Sequence, residues 1–138
     1  MDVHSKEIRS YNMSRVKSKS TKPEEIVRKF LFSNGLRYRK NVEKLPGCPD
    51  IVLQKYRCVI FVNGCFWHVH EKCKKFSWPK NNKEFWEEKL TSNKKRDIDN
   101  ISKLKFAGWK VITVWECELK ASTRNKRLAH LLLEILNN

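Results

Sequence analysis

The chain has 138 residues, the usual size of one domain, enough to close one core but not two. Its 30 Lys and Arg against 15 acids leave a net charge of +15, far beyond the magnitude of about 2 to 8 that solubility asks for, and such an excess fits a polyanion, DNA or RNA first. A hydrophobic content of 40% excludes a chain disordered throughout, and a membrane partner is excluded too: no apolar run nears the roughly 20 residues of a spanning helix and no Leu/Phe-faced basic helix is visible.

Residues 1–20 are polar and basic with no apolar period, and read as an arm ahead of a single domain over residues 21–138. Thr21-Lys22-Pro23-Glu24 opens a helix: a Thr cap, an early Pro and a Glu three residues after Thr match a capping box. Ile26, Val27, Phe30 and Leu31 give it an apolar face, and Gly35 ends it. Leu36 to Val42 alternates as a strand, and Leu45-Pro46-Gly47-Cys48-Pro49 is a turn. Asp50 to Leu53 and Cys58 to Val62 are apolar strands joined by the polar link Gln54 to Arg57. Gly64 to Lys80 is an irregular loop long enough to need a function or an internal staple. Asn81 caps a second helix, with Glu84 three residues on; it runs to Ala107 and Gly108 ends it. Trp109 to Trp115 reads as a strand buried on both faces, and Lys126 to Leu136 as a closing amphipathic helix. The order αβββαβα predicts an α/β fold, a mixed sheet with helices on its faces.

The five cysteines, Cys48, Cys58, Cys65, Cys73 and Cys117, form an odd set with no secretion signal visible, which points to a reducing compartment and a cytoplasmic protein. Cys65, His70 and Cys73 lie within nine residues, so three ligands reach one ion without long-range closure. Cys117, at the end of the last strand and partly by elimination, completes a Cys3His set. Thiolate and imidazole suit Zn2+, and four protein ligands leave no open position, which makes the site structural. Buried free thiols with a surface His70 are the plainer alternative. Cys58 opens a buried strand and reads as core.

Motifs along nearly the whole chain carry a resemblance: Asp2-Val3-His4, Arg9-Ser10, Asn12-Met13, Leu45-Pro46-Gly47-x-Pro49-Asp50, Tyr56-Arg57-Cys58-Val59-Ile60-Phe61, Gly64-Cys65-Phe66-Trp67-His68, Glu84-Phe85-Trp86, Arg96-Asp97, Gly108-Trp109 and Val114-Trp115-Glu116-Cys117. The chain resembles the very short patch repair (Vsr) endonuclease family, the Gly-Cys-Phe-Trp-His and Trp-Glu-Cys blocks being the most specific. The resemblance implies a restriction-endonuclease-like fold with a mixed central sheet flanked by helices. It implies a strand-specific nick beside the thymine of a T:G mismatch, the lesion left when 5-methylcytosine deaminates. It further implies catalytic Mg2+ and structural Zn2+. The partner is then double-stranded DNA with a T:G mismatch, the protein a monomer, and a mismatch-repair factor a candidate protein partner.

By the same resemblance Asp50 falls on the Mg2+-binding aspartate, His68 on the catalytic histidine and Glu24 on a helix acid near the active site. Cys65, His70, Cys73 and Cys117 fall on the zinc ligands. Phe66, Trp67 and Trp86 fall on the aromatics that wedge into the duplex, and Lys89 and Asn93 on residues near the mismatch. Val62-Asn63 stand where the best-known members have Thr-His. A backbone carbonyl at Val62 can still bind Mg2+, but Asn63 can neither act as a base nor carry positive charge. The spacing from His70 to Cys73 is one residue longer than in some members.

The chemistry fits these positions. Phosphodiester hydrolysis needs a metal to neutralise charge and a base to activate water. Asp50 begins a strand after a Pro turn, a natural place for a first metal ligand, although a turn cap looks the same in sequence. The next strand, Ile60-Phe61-Val62-Asn63, has no acid or lysine, which leaves His68 as the base. Glu24 fits the capping box as well as the active site. Adjacent Phe66 and Trp67 in a polar loop suit a wedge between base steps, or else a plug over the zinc. Trp86, Lys89, Asn93 and Arg96 recur at spacings of three, four and three on one helix face, apt for a DNA groove. The basic residues of the arm grip phosphates and Met13 packs against the duplex. Two other functions share these features: a restriction-like enzyme cutting both strands of an unmodified site, and a zinc-stabilised DNA-binding module without catalysis, which Asn63 favours.

Overall fold

A computed structural model describes residues 22–71, 73–74 and 76–137. The N-terminal arm, Met13 and the Thr21 cap lie outside the described residues. Helix α1 (Lys22–Ser33) is followed by strands β1 (Arg39–Lys40), β2 (Ile51–Leu53) and β3 (Cys58–Asn63), helix α2 (Lys83–Phe106), strand β4 (Lys110–Trp115) and helix α3 (Arg124–Leu136). The four strands form one sheet in the order β1-β2-β3-β4, antiparallel across the first two pairs and parallel between β3 and β4. A parallel pair needs a crossover, and α2 is that crossover.

Period-two alternation splits the sheet's side chains between a main core on one face and a small cluster on the other. Ile51 and Leu53 of β2, with Cys58, Ile60 and Val62 of β3, pack against Val27 and Leu31 of α1 and Leu128, Leu131 and Ile135 of α3. Val52 and Val59 point to the opposite face, where they meet Leu104 of α2 with Phe61, Trp109 and Val111 around them. Helices therefore cover both faces, as the mixed α/β order predicts. Cys58 is fully buried, and burial pushes its thiol up to about 11, as a core residue requires.

Several boundaries differ from the sequence reading. The strand predicted over Leu36 to Val42 shrinks to Arg39–Lys40. Leu36 turns into the core instead of joining a ladder, and Asn41 takes a left-handed conformation (φ 47°) that ends the strand. The second helix begins at Lys83, not Asn81. Asn82 precedes it in a left-handed conformation from which its side chain makes no capping bond, so no capping box with Glu84 forms. The polar link Gln54 to Arg57 is a 3-10 turn closed by Arg57 at φ 50°. A second 3-10 turn, Glu116–Leu119, follows β4 and was not anticipated. On β4 Ile112 and Val114 are buried but Val111 is half-buried, because β4 lies at the sheet's edge rather than between two strands. The closing helix starts two residues early, at Arg124. Among the described residues no helix is long and apolar enough to cross a membrane.

Candidate active site and metal centre

The C-terminal end of β3 gathers the chemistry. There the Val62 amide donates to Asp50 Oδ2 at 2.7 Å, tying the start of β2 to the end of β3. Glu24 of α1 reaches the same place. It is only 3% exposed, pairs with Arg28 at 3.0 Å and hydrogen-bonds the Asp50 carboxyl. Burial, then the Glu24 charge, push the Asp50 carboxyl up to about 7; the Val62 amide and Arg28 pull it back only in part. Two acids sharing one buried arginine are a strained arrangement alone. Their oxygens are the hard donors a divalent cation such as Mg2+ prefers, and its charge would relieve the crowding. Glu24 thus faces inward toward Asp50.

Beyond β3 the loop turns sharply. Val69 is 4% exposed yet has φ 52°, a conformation a β-branched residue rarely takes. It separates two histidines with different partners. His68 Nδ1 lies 2.5 Å from Asp97 Oδ2 on α2. His70 stacks flat on Trp115, centroids 4.0 Å apart, with Nδ1 3.4 Å from Cys117 Sγ. Asp97, the partner of His68, is the residue at this site that sequence reasoning did not single out. Its signals were its place in the matched block Arg96-Asp97 and the spacing Asn93-x3-Asp97, which puts it one turn along the face already singled out.

Cys65, His70, Cys73 and Cys117 converge: one ligand atom from each lies within 4.8 Å of all the others. Tetrahedral ligands held at about 2.0 to 2.3 Å from one ion fall within that span. Burial pushes the Cys65 thiol up to about 12 and raises Cys117 as well. Such thiols ionise only if a cation replaces the proton, so this set is a candidate metal-binding cluster. Cys117 joins it because the 3-10 turn after β4 brings the chain back beside the loop.

Phe66, Trp67 and Trp86 form a half-buried aromatic group, with centroids 5.2 Å apart for Phe66 and Trp67, 5.5 Å for Phe66 and Trp86, and 5.9 Å for Trp67 and Trp86. Phe76 adjoins Phe66, and the exposed Trp78 and Phe85 extend the group at either end. Asn93 is half-buried and donates to the Trp67 carbonyl at 3.3 Å, so it fixes the loop to α2. Lys89 and Arg96 stand exposed on the helix.

Residues 1–75 match the family model described as DNA mismatch endonuclease Vsr. The Type II nicking enzyme V.NmeAIP of Neisseria meningitidis serogroup A is 51% identical over 135 residues, covering 97% of this chain and 96% of that protein. The DNA mismatch endonuclease Vsr of Escherichia coli K12 is 45% identical over 119 residues, covering 86% of this chain and 76% of that protein. The Type II nicking enzyme V.XorIIP of Xanthomonas oryzae pv. oryzae is 45% identical over 118 residues, covering 86% of each. The chain belongs to the DNA mismatch endonuclease Vsr family and is a DNA endonuclease.

Proposed function

We propose that this protein is a Mg2+-dependent endonuclease that nicks one strand beside the thymine of a T:G mismatch, on a restriction-endonuclease-like fold stapled by Zn2+. The observation that carries the reading is the pairing of His68, on the loop that also carries Phe66 and Trp67, with Asp97 of α2. A chain that only bound DNA would have no use for an oriented imidazole there. Asp50 and Glu24, with the Val62 carbonyl, would hold Mg2+. When bound, the ion would neutralise charge on the scissile phosphate.

The chain's own residues do the rest. Asp97, as a carboxylate, only accepts hydrogen bonds, so His68 Nδ1 carries the proton and Nε2 keeps its lone pair for an attacking water. Phe66, Trp67 and Trp86 wedge between base steps. Unstacking costs about a few kcal/mol and is cheapest at a mispair, which selects the mismatch. Lys89, Asn93 and Arg96 follow the groove, and the basic arm with Met13 closes on the backbone. Cys65, His70, Cys73 and Cys117 hold Zn2+ and thereby fix the loop. The protein acts as a monomer in the cytoplasm.

The deciding experiment is a nicking assay with Mg2+ on a panel of mismatched duplexes. One-strand cleavage confined to T:G supports the reading. Cleavage of both strands in matched DNA would replace it with a restriction-like activity, and binding without cleavage would leave a DNA-binding module.

A further inference from the structure

Asn63, the last residue of β3, carries a polar side chain that the reaction as described does not use. It is 8% exposed and closes the strand. Alternation along β3 sends Asn63 to the same face as Val59 and Phe61, toward α2. There it lines a small cavity with Phe61, Asp97, Asn100 and Ile101.

The cavity is about 10 Å³, the size of one water. Its polar groups are the two carboxamides and the carboxylate whose Oδ2 meets His68. The Gly47 turn closes in beside Asn100 and Phe61: a Cβ on Gly47 would lie 3.1 Å from Asn100 Cβ and 3.2 Å from Phe61 Cζ. Two carboxamides supply both donors and acceptors, whereas the carboxylate supplies only acceptors. A water donating to Asp97 and to one amide oxygen, and accepting from the other amide, satisfies all three. A buried water commonly makes about three such bonds.

We infer that Asn63 is a positioning residue: with Asn100 it holds one water against Asp97, and so fixes the carboxylate that orients His68. The inference rests on the proposed role of His68 as the base. It gives Asn63 a part that needs neither proton transfer nor charge. It also ties β3, which carries the Asp50 contact at Val62, to α2, which carries Asp97.

The test compares Asn63→Leu, which keeps the branched shape at somewhat larger volume but removes the polar atoms, with Asn63→Ser, which loses volume but keeps a hydroxyl and leaves space for water. Both are made in the full metal-loaded chain. Two quantities are read: the Nδ1–H resonance of His68 in histidine-labelled protein, and the single-turnover nicking rate beside the Kd for T:G duplex. Asn63→Leu should shift or broaden the resonance and lower the rate by on the order of tenfold or more, since misplacement by about 1 Å can cost a hundredfold. Its Kd should stay within about twofold. Asn63→Ser should stay close to the wild type in both. A packing role predicts the reverse order, with Ser the more damaging, and that order would overturn the inference, as would an unmoved His68 resonance in Asn63→Leu. Wild-type nicking by His68→Ala would sink the general-base reading instead. The resonance would still decide whether Asn63 positions the pair.

Discussion

His68 and Asp97 stand 29 positions apart in sequence and meet at 2.5 Å, one from a loop beside the candidate metal centre and one from the middle of α2. Neither element alone would set the ring. The loop brings the imidazole and the helix holds it by one nitrogen. His68→Ala should therefore lower the single-turnover nicking rate by roughly 10²- to 10⁴-fold, the usual worth of a positioned base. Asp97→Asn should lower it too, because an amide can present its NH2 to Nδ1 and favour the wrong tautomer. Zinc content, measured by elemental analysis, should be unchanged in both. Loss of zinc from His68→Ala would assign the residue to the metal centre instead.

The Asp50 carboxyl, raised to about 7 by burial and by Glu24, gives a pH dependence of definite sign. Between the unfolded value near 3.8 and about 7 the folded state binds the extra proton, so this group's contribution makes stability fall as pH rises through that window. Without Mg2+, chemical denaturation between about pH 5.5 and 7.5 should show this decline, and Asp50→Asn should flatten it and gain roughly 1 to 3 kcal/mol at the upper end. Mg2+ should bind more tightly as pH rises past 7, since it must displace that proton. Asp50→Asn or Asp50→Ala should abolish nicking while mismatch binding survives. A stability that rose through the same pH window because of Asp50 would refute the assignment.

How much of this was legible beforehand depends on the range of each contact. Cys65, His70 and Cys73 could be grouped because nine residues of chain bring them together without help from the fold. Cys117 needed the added guess that the last strand ends beside the loop, and the 3-10 turn that delivers it left no apolar period to read. Asp97 stood in the matched block Arg96-Asp97 but drew no role from it, because a run with Arg96 and Asp99 looks like any solvated helix face. Only the tertiary approach of the loop distinguishes it. The Leu36 to Val42 alternation misled for the opposite reason: Leu36 and Tyr38 pack into the core without entering the ladder, so a period of two does not distinguish a strand from an extended connection. Glu24 satisfied two local rules at once, and its burial against Arg28 and Asp50 was needed to show which way it faces.

Metal removal should unfold the loop and not merely slow the enzyme. Cys65 and Cys117, both held protonated by burial when no cation is near, give the apo centre no charge to hold His70 or the left-handed Val69 in place. Elemental analysis should find about one zinc per chain. Cys73→Ser and Cys117→Ser should each lose it, with a loss of several kcal/mol, since structural zinc binding is folding energy. A well-folded chain free of zinc, judged by its melting transition, would overturn the structural role.

The aromatic group decides between a wedge and a plug. Phe66, Trp67 and Trp86 lie edge to face or tilted, as packed rings do, and this local packing alone would suit a lid over the metal centre. Yet all three stay half-exposed, and Asn93 pins the Trp67 carbonyl while its ring packs against Phe66 and Trp86. A ring held this way can enter a base step without unfolding its support. Trp67→Ala should then weaken binding to T:G duplex by about 1 to 3 kcal/mol, the worth of one stacked base, and leave binding to matched duplex nearly unchanged. Both should still fall steeply with salt, with a log–log slope near −0.9 for each phosphate neutralised, because the basic residues and not the wedge set that term. Lys89→Ala and Arg96→Ala should do the opposite: lower affinity for both duplexes alike and make the slope shallower by about one. Equal losses on matched and mismatched DNA in Trp67→Ala, accompanied by loss of zinc, would identify the rings as a plug.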